Sequence, residues 1–339
     1  MKIWLIIALC ASSLALAGDG PPSATKNDAD QKEGREGWAP AAPATQKGQE
    51  AQEADDINWM DNSHAYATEQ AQALTEWMDN YFGDPDYDIE RAESLLRLEW
   101  TNEWDEEDRY NTNVRLRGKL QLPRVSKRLN LVFSGEDGDE LSEDERSRED
   151  SVGLLYNLGE KGRSRVDLTL GFKWDGLRPG IRYRAQGPLA DKSRYRFTQR
   201  LQWETDEGFF TTGQVNLDRA ITKSDLLRWS NRVVYGEETQ GAEWRTRLSW
   251  RQRLRDLEKS HQFVVAYFGS INGATDPSLV KNYKLGVLLR RQVYRRYLFF
   301  ELEPSYNLRK RKDDNQRKSM WALMLRFEIA LERDLLHQR

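Results

Sequence analysis

Arginine is the residue whose spacing in this chain suggests chemistry. The stretch "WRTRLSWRQRL", Trp244 to Leu254, sets four arginines among tryptophans and leucines. Wound as a helix at about 100° per residue, it has no clean face. Read with period 2, Arg245, Arg247, Arg251 and Arg253 fall on one side with Ser249, while Trp244, Thr246, Leu248, Trp250, Gln252 and Leu254 fall on the other. A row of guanidiniums on one strand face offers planar, permanently charged forks of donors, suited to carboxylates or phosphates. Catalytic chemistry is poorly served by comparison. The three histidines, His64, His261 and His337, are not placed to activate a Ser or Asp nucleophile, and no His/Cys/Asp group has metal-ligand spacing. The acidic run Glu136 to Asp150 lacks the glycine-hinged periodicity of a calcium loop. Neither enzyme activity, metal nor cofactor is expected.

The elements that must hold these arginines are strands. "LRLEWTNEW" sends Leu96, Leu98, Trp100 and Trp104 one way, and Arg97, Glu99, Thr101 and Glu103 the other. "VRLRGKLQL", "VDLTLGFKW" and "WALMLRFEIAL" alternate in the same manner. About fourteen such segments start near residues 94, 112, 129, 151, 164, 179, 194, 208, 226, 243, 262, 282, 297 and 319. Segments 4, 6 and 8 are the weakest, which leaves twelve open. The spacing of roughly 17 residues fits about ten in a bilayer plus a turn. Connections after segments 1, 3, 5, 7 and 9 are acidic ("DEEDRYN", "ETDEG"). Those after 2, 4, 6 and 10 are short and mostly basic ("PRVSKR", "EKGRSR"). Trp104, Trp174, Trp203, Tyr235, Trp244, Tyr306 and Trp321 fall at the acidic-loop ends of their segments, the pattern of an aromatic girdle.

Upstream, residues 1–17 resemble a secretory signal peptide: Lys2, an apolar run from Ile3 to about Leu16, and Ala15-Leu16-Ala17 before a polar region. Cleavage near Ala17 removes Cys10, the sole cysteine, and takes the formal charge from −3 to −4. Residues 18–55 carry one large hydrophobe, Trp38, and read as a disordered linker. Over 56–83 an amphipathic helix is expected. Its tetrad Trp-Met-Asp-Asn occurs at Trp59 and again at Trp77, an offset of about five turns. Met60, Ala67, Ala71, Leu74, Met78 and Tyr81 make one stripe beside Trp77 and Phe82, and Gly83 and Pro85 end it. That stripe could pack on its own protein, enter a barrel mouth, or dock to a periplasmic partner.

Taken together, the export segment, the strand count, the loop asymmetry and the girdle resemble the outer-membrane β-barrels and porins of Gram-negative bacteria, over residues 94–331. The resemblance implies an all-β, antiparallel up-and-down transmembrane barrel, with residues 332–339 as a periplasmic tail. Its partners would be outer-membrane lipid, lipopolysaccharide and the barrel-assembly machinery, and nucleic acid is excluded. One departure is that such barrels usually end on an aromatic residue, whereas here Phe327 is followed by "EIALERDLLHQR". Alternation then gives a lumen with Arg182, Arg184, Arg196, Arg200, Arg228, Arg232, Arg245, Arg247, Arg251 and Arg253 along segments 6 to 10. Glu99, Glu103, Glu301, Glu303 and Glu328 line segments 13, 14 and 1, which adjoin when the barrel closes, together with Arg97 and Arg326; Arg115, Arg117 and Lys119 on segment 2 spoil a perfect division. A basic wall facing an acidic one resembles the transverse field of general porins. The expected function is a channel for small hydrophilic, anionic solutes. The alternative is a non-conducting barrel that recruits a periplasmic protein through residues 56–83.

Overall fold

The computed structural model describes residues 69, 71–82, 95–107, 109–122, 128–133, 152–173, 176–205, 208–254, 262–294, 297–311 and 315–332. The export segment, the linker, the first tetrad with Met60 and Ala67, Gly83, Pro85, the acidic run 136–150, Trp174, all three histidines and residues 333–339 lie outside these. One helix is described, α1 over 71–82. Fourteen strands follow: β1 Leu95–Asp105, β2 Arg109–Gln121, β3 Leu129–Phe133, β4 Val152–Lys161, β5 Ser164–Lys173, β6 Gly176–Ala190 and β7 Ser193–Glu204, then β8 Gly208–Ala220, β9 Asp225–Gly236, β10 Ala242–Leu254, β11 Phe263–Thr275, β12 Ser278–Gln292, β13 Leu298–Arg309 and β14 Lys318–Glu332. Each strand pairs antiparallel with its neighbours in sequence, and β1 pairs with β14 from Leu95↔Glu332 to Asp105↔Ala322. The sheet is therefore a closed barrel with no free edge.

All three weak segments are strands, so the number is fourteen and not twelve. β8 shows why its signal was faint. Thr212, Gln214 and Asn216 are buried and uncharged, while Thr211 and Gly213 interrupt the outward set, so neither face contrasts sharply. Elsewhere alternation holds across the register. Along β1, Leu95, Arg97, Glu99 and Thr101 are buried while Leu98, Trp100 and Trp104 are exposed. The exterior is an apolar belt that includes Leu201, Trp229, Leu248, Trp250, Leu285 and Phe327, all exposed. Large apolar side chains turned outward and charged ones turned inward is the reverse of a soluble barrel. It is the arrangement a hydrocarbon surrounding demands.

The apolar core is small and lies at one end. Ala71, Leu74, Met78, Tyr81 and Phe82 of α1 cluster with Ala220, Leu226, Val264, Ala266, Phe268, Leu288, Phe299 and Ala330, with Trp77 against them. These wall residues all sit in the strand halves nearest the β8–β9, β10–β11 and β12–β13 turns and the C-terminal end of β14. The helix touches β7, β9, β10, β12 and β1, strands on opposite sides of the ring, so it lies within the wall at the turn-side mouth. The stripe expected on residues 71–82 is thus spent on the barrel's own interior.

Candidate functional site: the charged bore and its internal helix

Among the described residues, the inward positions carry most of the buried charge, and each arc of the bore treats it differently. On the arc formed by β12, β13, β14 and β1, carboxylates are matched locally. Arg290 donates through Nη1 to Glu301 Oε2 at 2.7 Å and through Nη2 to Glu328 Oε1 at 2.9 Å. Arg97 pairs with the same Glu328 oxygen, and Arg326 reaches Glu301 at 3.4 Å. Lys284 Nζ stands 2.6 Å from Glu303, and Arg117 of β2 stands 2.6 Å from Glu99. Of the glutamates expected to form an acidic wall, Glu99, Glu301, Glu303 and Glu328 each face a cation from a neighbouring strand or, for Arg290 and Glu328, from two strands away.

The arc from β6 to β10 keeps a basic excess. Of the ten arginines expected to line it, eight are buried: Arg182, Arg184, Arg196, Arg200, Arg228, Arg232, Arg245 and Arg251. Arg247 is half-buried with its guanidinium 3.9 Å from the Phe268 ring centroid. Arg253 is exposed at the mouth, over Trp77 at 4.2 Å. Some of the charge is met within the wall. Arg182 donates twice to Asp167 Oδ2, at 3.1 and 2.7 Å, Arg178 donates to Glu204 at 2.9 Å, and Arg228 forms a two-pronged pair with Asp218 at 2.6 and 2.8 Å.

A further part of the balance comes from α1. Asp79, wholly buried, accepts from Arg196 Nη2 at 3.0 Å with one oxygen and from Arg228 Nη2 with the other. Burial alone would raise its pKa, but Arg228, Arg196 and Arg251 outweigh desolvation and hold the carboxyl below its ordinary value. Glu76 stands 3.5 Å from Arg194. On the opposite side, Arg97 Nη2 donates to the carbonyl of Asn80 at 2.9 Å and Arg290 Nε to that of Tyr81 at 2.7 Å. These carbonyls belong to the last helical turn, where backbone acceptors lack an intrahelical donor and the dipole favours cations. The Tyr81 hydroxyl donates toward the carbonyls of Gln262 and Arg290, at 2.7 and 3.0 Å. Buried in this way, its pKa is raised.

Asp79, Arg290 and Lys284 were not among the expected site residues. Arg290 stands beside Arg291, so alternation alone does not say which of the two points inward; the structure buries Arg290 and exposes Arg291. For Asp79 a signal was present at a larger scale. Between residues 51 and 90 there are 11 acidic residues and no lysine or arginine, the complement of the arginine arc. Of the expected girdle, Trp104, Trp203 and Trp321 are exposed and Tyr235, Trp244 and Tyr306 half-buried, and Tyr306 packs edge-on against Trp321 at 5.2 Å.

Closed register, apolar exterior and charged interior give the chain the architecture of the outer-membrane β-barrel class. No protein-family model matches it, and no curated protein is recognisably similar in sequence. Among solved structures it is similar to OmpT, an outer membrane protein of Vibrio cholerae, at 10% identity and a TM-score of 0.39 over 70% of this chain and 96% of that one. It is also similar to a bacterial polysaccharide outer membrane secretin, at 9% identity and a TM-score of 0.43 over 70% and 98%. A third is the KdgM porin in complex with disordered oligogalacturonate, at 6% identity and 0.35 over 69% and 98%. The class rests on this chain's own strand register.

Proposed function

We propose that the protein is an outer-membrane channel for small, hydrophilic, anionic solutes, held closed at its turn-side mouth by α1. The observation that carries this reading is that the mouth is occupied by a separate helix tied to the wall by side-chain contacts. A barrel filled by its own wall residues has no need of a stopper. The concentration of buried arginines along β6 to β10 supports the choice of solute, because many cationic side chains lining a low-dielectric passage set up a positive potential that attracts mobile anions. Acidic loops at the other end suit an outward face where divalent cations bridge carboxylates to lipid phosphates.

Planar-bilayer recordings test it. The full chain is expected to be closed for most of the time, and a variant lacking residues 71–82 to conduct steadily with anion preference. A deletion variant that folds, shown by heat-modifiable migration, yet is silent at all voltages would sink the channel. A second reading is favoured by one observation: Thr198, Ser230, Ser249, Ser305 and Asn307, all inward, are each under 5% exposed. So dense an interior also suits a non-conducting, internally braced barrel, and that same silent deletion variant is the result it expects.

A further inference from the structure

Asp79 is a carboxylate bound the way a ligand is bound. Each oxygen is taken by a different arginine, from strands two apart in the ring, and Arg251 adds a third positive charge. Asp218 holds Arg228 through Nε and Nη2, the second of which also donates to Asp79, so that this guanidinium is oriented before anything approaches it. The segment that delivers Asp79 is the 51–90 stretch that carries 11 acids and no basic residue. Beside the clasp, further along β7 and β8, are polar atoms that neither wall nor helix uses. Asn216 stands opposite Arg196 in the register, Thr198 lies two residues on, and Thr212 stands opposite Arg200. Thr198 Oγ1, Thr212 Oγ1 and Asn216 Oδ1 are buried, in side chains no more than 4% exposed, and have no hydrogen-bond partner among the described residues. Buried oxygens of this kind call for hydroxyl groups or water.

We infer that Arg196, Arg228 and Arg251 form a binding site for the carboxylate of a hydroxylated solute, such as a sugar acid or a polyhydroxy acid. In the closed state Asp79 occupies that site as an internal stand-in for the solute. The exchange conserves charge: one carboxylate leaves the clasp, another enters, and the arginines are never left bare in the interior, where an unmatched charge is costly. Solute and α1 therefore compete, and a solute that wins the clasp loosens the helix. The hydroxyl contacts add what Asp79 cannot supply, since its side chain ends at the carboxylate. A tethered Asp79 acts at an effective concentration in the millimolar range, so the site shows weak apparent affinity until that carboxylate is removed.

This inference deepens the channel reading and rests on it, but binding and conductance separate the two. The test is calorimetric titration of the full-length protein in detergent with sodium gluconate, with glucose and acetate as controls. Asp79→Asn keeps shape and removes the competing charge, and is expected to bind gluconate about tenfold more tightly or better. In that background Arg228→Met should abolish the gain. Glucose should not bind, and acetate should bind more weakly than gluconate. Deleting residues 71–82 provides a second route to the same gain if Asp79→Asn folds poorly. Gluconate affinity equal in the wild type, Asp79→Asn and the deletion, or retained after Arg228→Met, overturns the site. An absent preference over acetate overturns its hydroxyl half. Should the deletion variant gain gluconate affinity but never conduct, the site stands and the channel fails. Steady conductance without any gain in affinity leaves the channel and removes the site.

Discussion

Replacing Arg290 by methionine should destabilise the closed barrel by about 3–4 kcal/mol, and the size follows from what Arg290 holds. Its side chain is inaccessible to solvent and serves three acceptors: Glu301, Glu328 and the carbonyl of Tyr81. Removing one partner of a buried ion pair costs about 3–5 kcal/mol, because the other charge is stranded. Here the lower end applies, since Glu328 keeps Arg97 and Glu301 keeps Arg326. The lost bond to Tyr81 adds about 1 kcal/mol, and methionine refills most of the volume with a flexible apolar chain. The control is Arg291→Met, one residue along and exposed, expected within about 0.5 kcal/mol of wild type. Urea unfolding in lipid vesicles, followed by the shift between folded and unfolded gel migration, measures both. In a variant lacking residues 71–82, the Arg290→Met loss should shrink by about 1 kcal/mol, because the Tyr81 carbonyl is no longer there to lose. Equal stabilities for Arg290→Met and Arg291→Met would refute the account of the bore as an ion-paired interior with α1 coupled to it.

Three further outcomes are expected. Because the Asp79 carboxyl is held below its ordinary value of 3.8, its contribution to helix docking is present above that pH and lost as pH falls through the folded-state value. A spin label on Gln72→Cys, exposed on α1, should thus report a docked helix from about pH 5 to 8 and release only in strong acid; release near neutrality would contradict the arginine clasp. On the exterior, Leu285→Arg, at a position 65% exposed on β12, should cost about 2–4 kcal/mol, while Tyr110→Arg near the outer rim should cost about 0–1. A cost at Tyr110 as large as at Leu285 would place the hydrocarbon belt elsewhere. Gly118→Ala should impair folding, since φ is +129° and a Cβ would stand 2.1 Å from the carbonyl oxygen of Leu95; normal heat-modifiable migration of that variant would count against the close β1–β2 approach.

Period-2 alternation made the wall legible because the environments on its two sides are opposite in polarity, so that each strand states its inward set independently of its partners. Observed strand starts differ from the expected ones by at most four residues, the largest difference being at β12, 278 against 282. Within Trp244–Leu254, Arg245 and Arg251 are buried, Arg247 is half-buried and Arg253 is exposed over Trp77, while Leu248, Trp250 and Leu254 are exposed. What alternation does not encode is which inward charge meets which. Arg97 was already placed on the arc of Glu301 and Glu328, but the cation that joins the two glutamates, Arg290, belongs to a doubled arginine whose phase is ambiguous. Asp79 lay on the polar flank of a helix, where a carboxylate ordinarily meets water. Its partners are 117 and 149 residues away, and nothing local announces them.

The make-up of the helix's contacts bears on whether it can leave. The wall is held by a continuous backbone ladder that no solute can replace in an apolar surrounding. Among the described residues the helix has no such ladder to the barrel; it is held by an apolar stripe and a few charged or carbonyl groups. Met78, Leu74 and Phe82 contribute on the order of 1.5–3 kcal/mol each when buried, without fixing position along the bore. Register is set by Asp79 against Arg196 and Arg228, and by the Asn80 and Tyr81 carbonyls against Arg97 and Arg290. Each of these acceptors is an oxygen that water or another anion can imitate, so exchange leaves the arginines satisfied and does not strand a buried charge. The same arginines would be a costly lining for a barrel meant to be permanently sealed, where apolar side chains of similar volume are often as stable or more so. On the proposed reading, the wall keeps its cations while the carboxylate of α1 can exchange for another anion, which suits opening better than bracing alone.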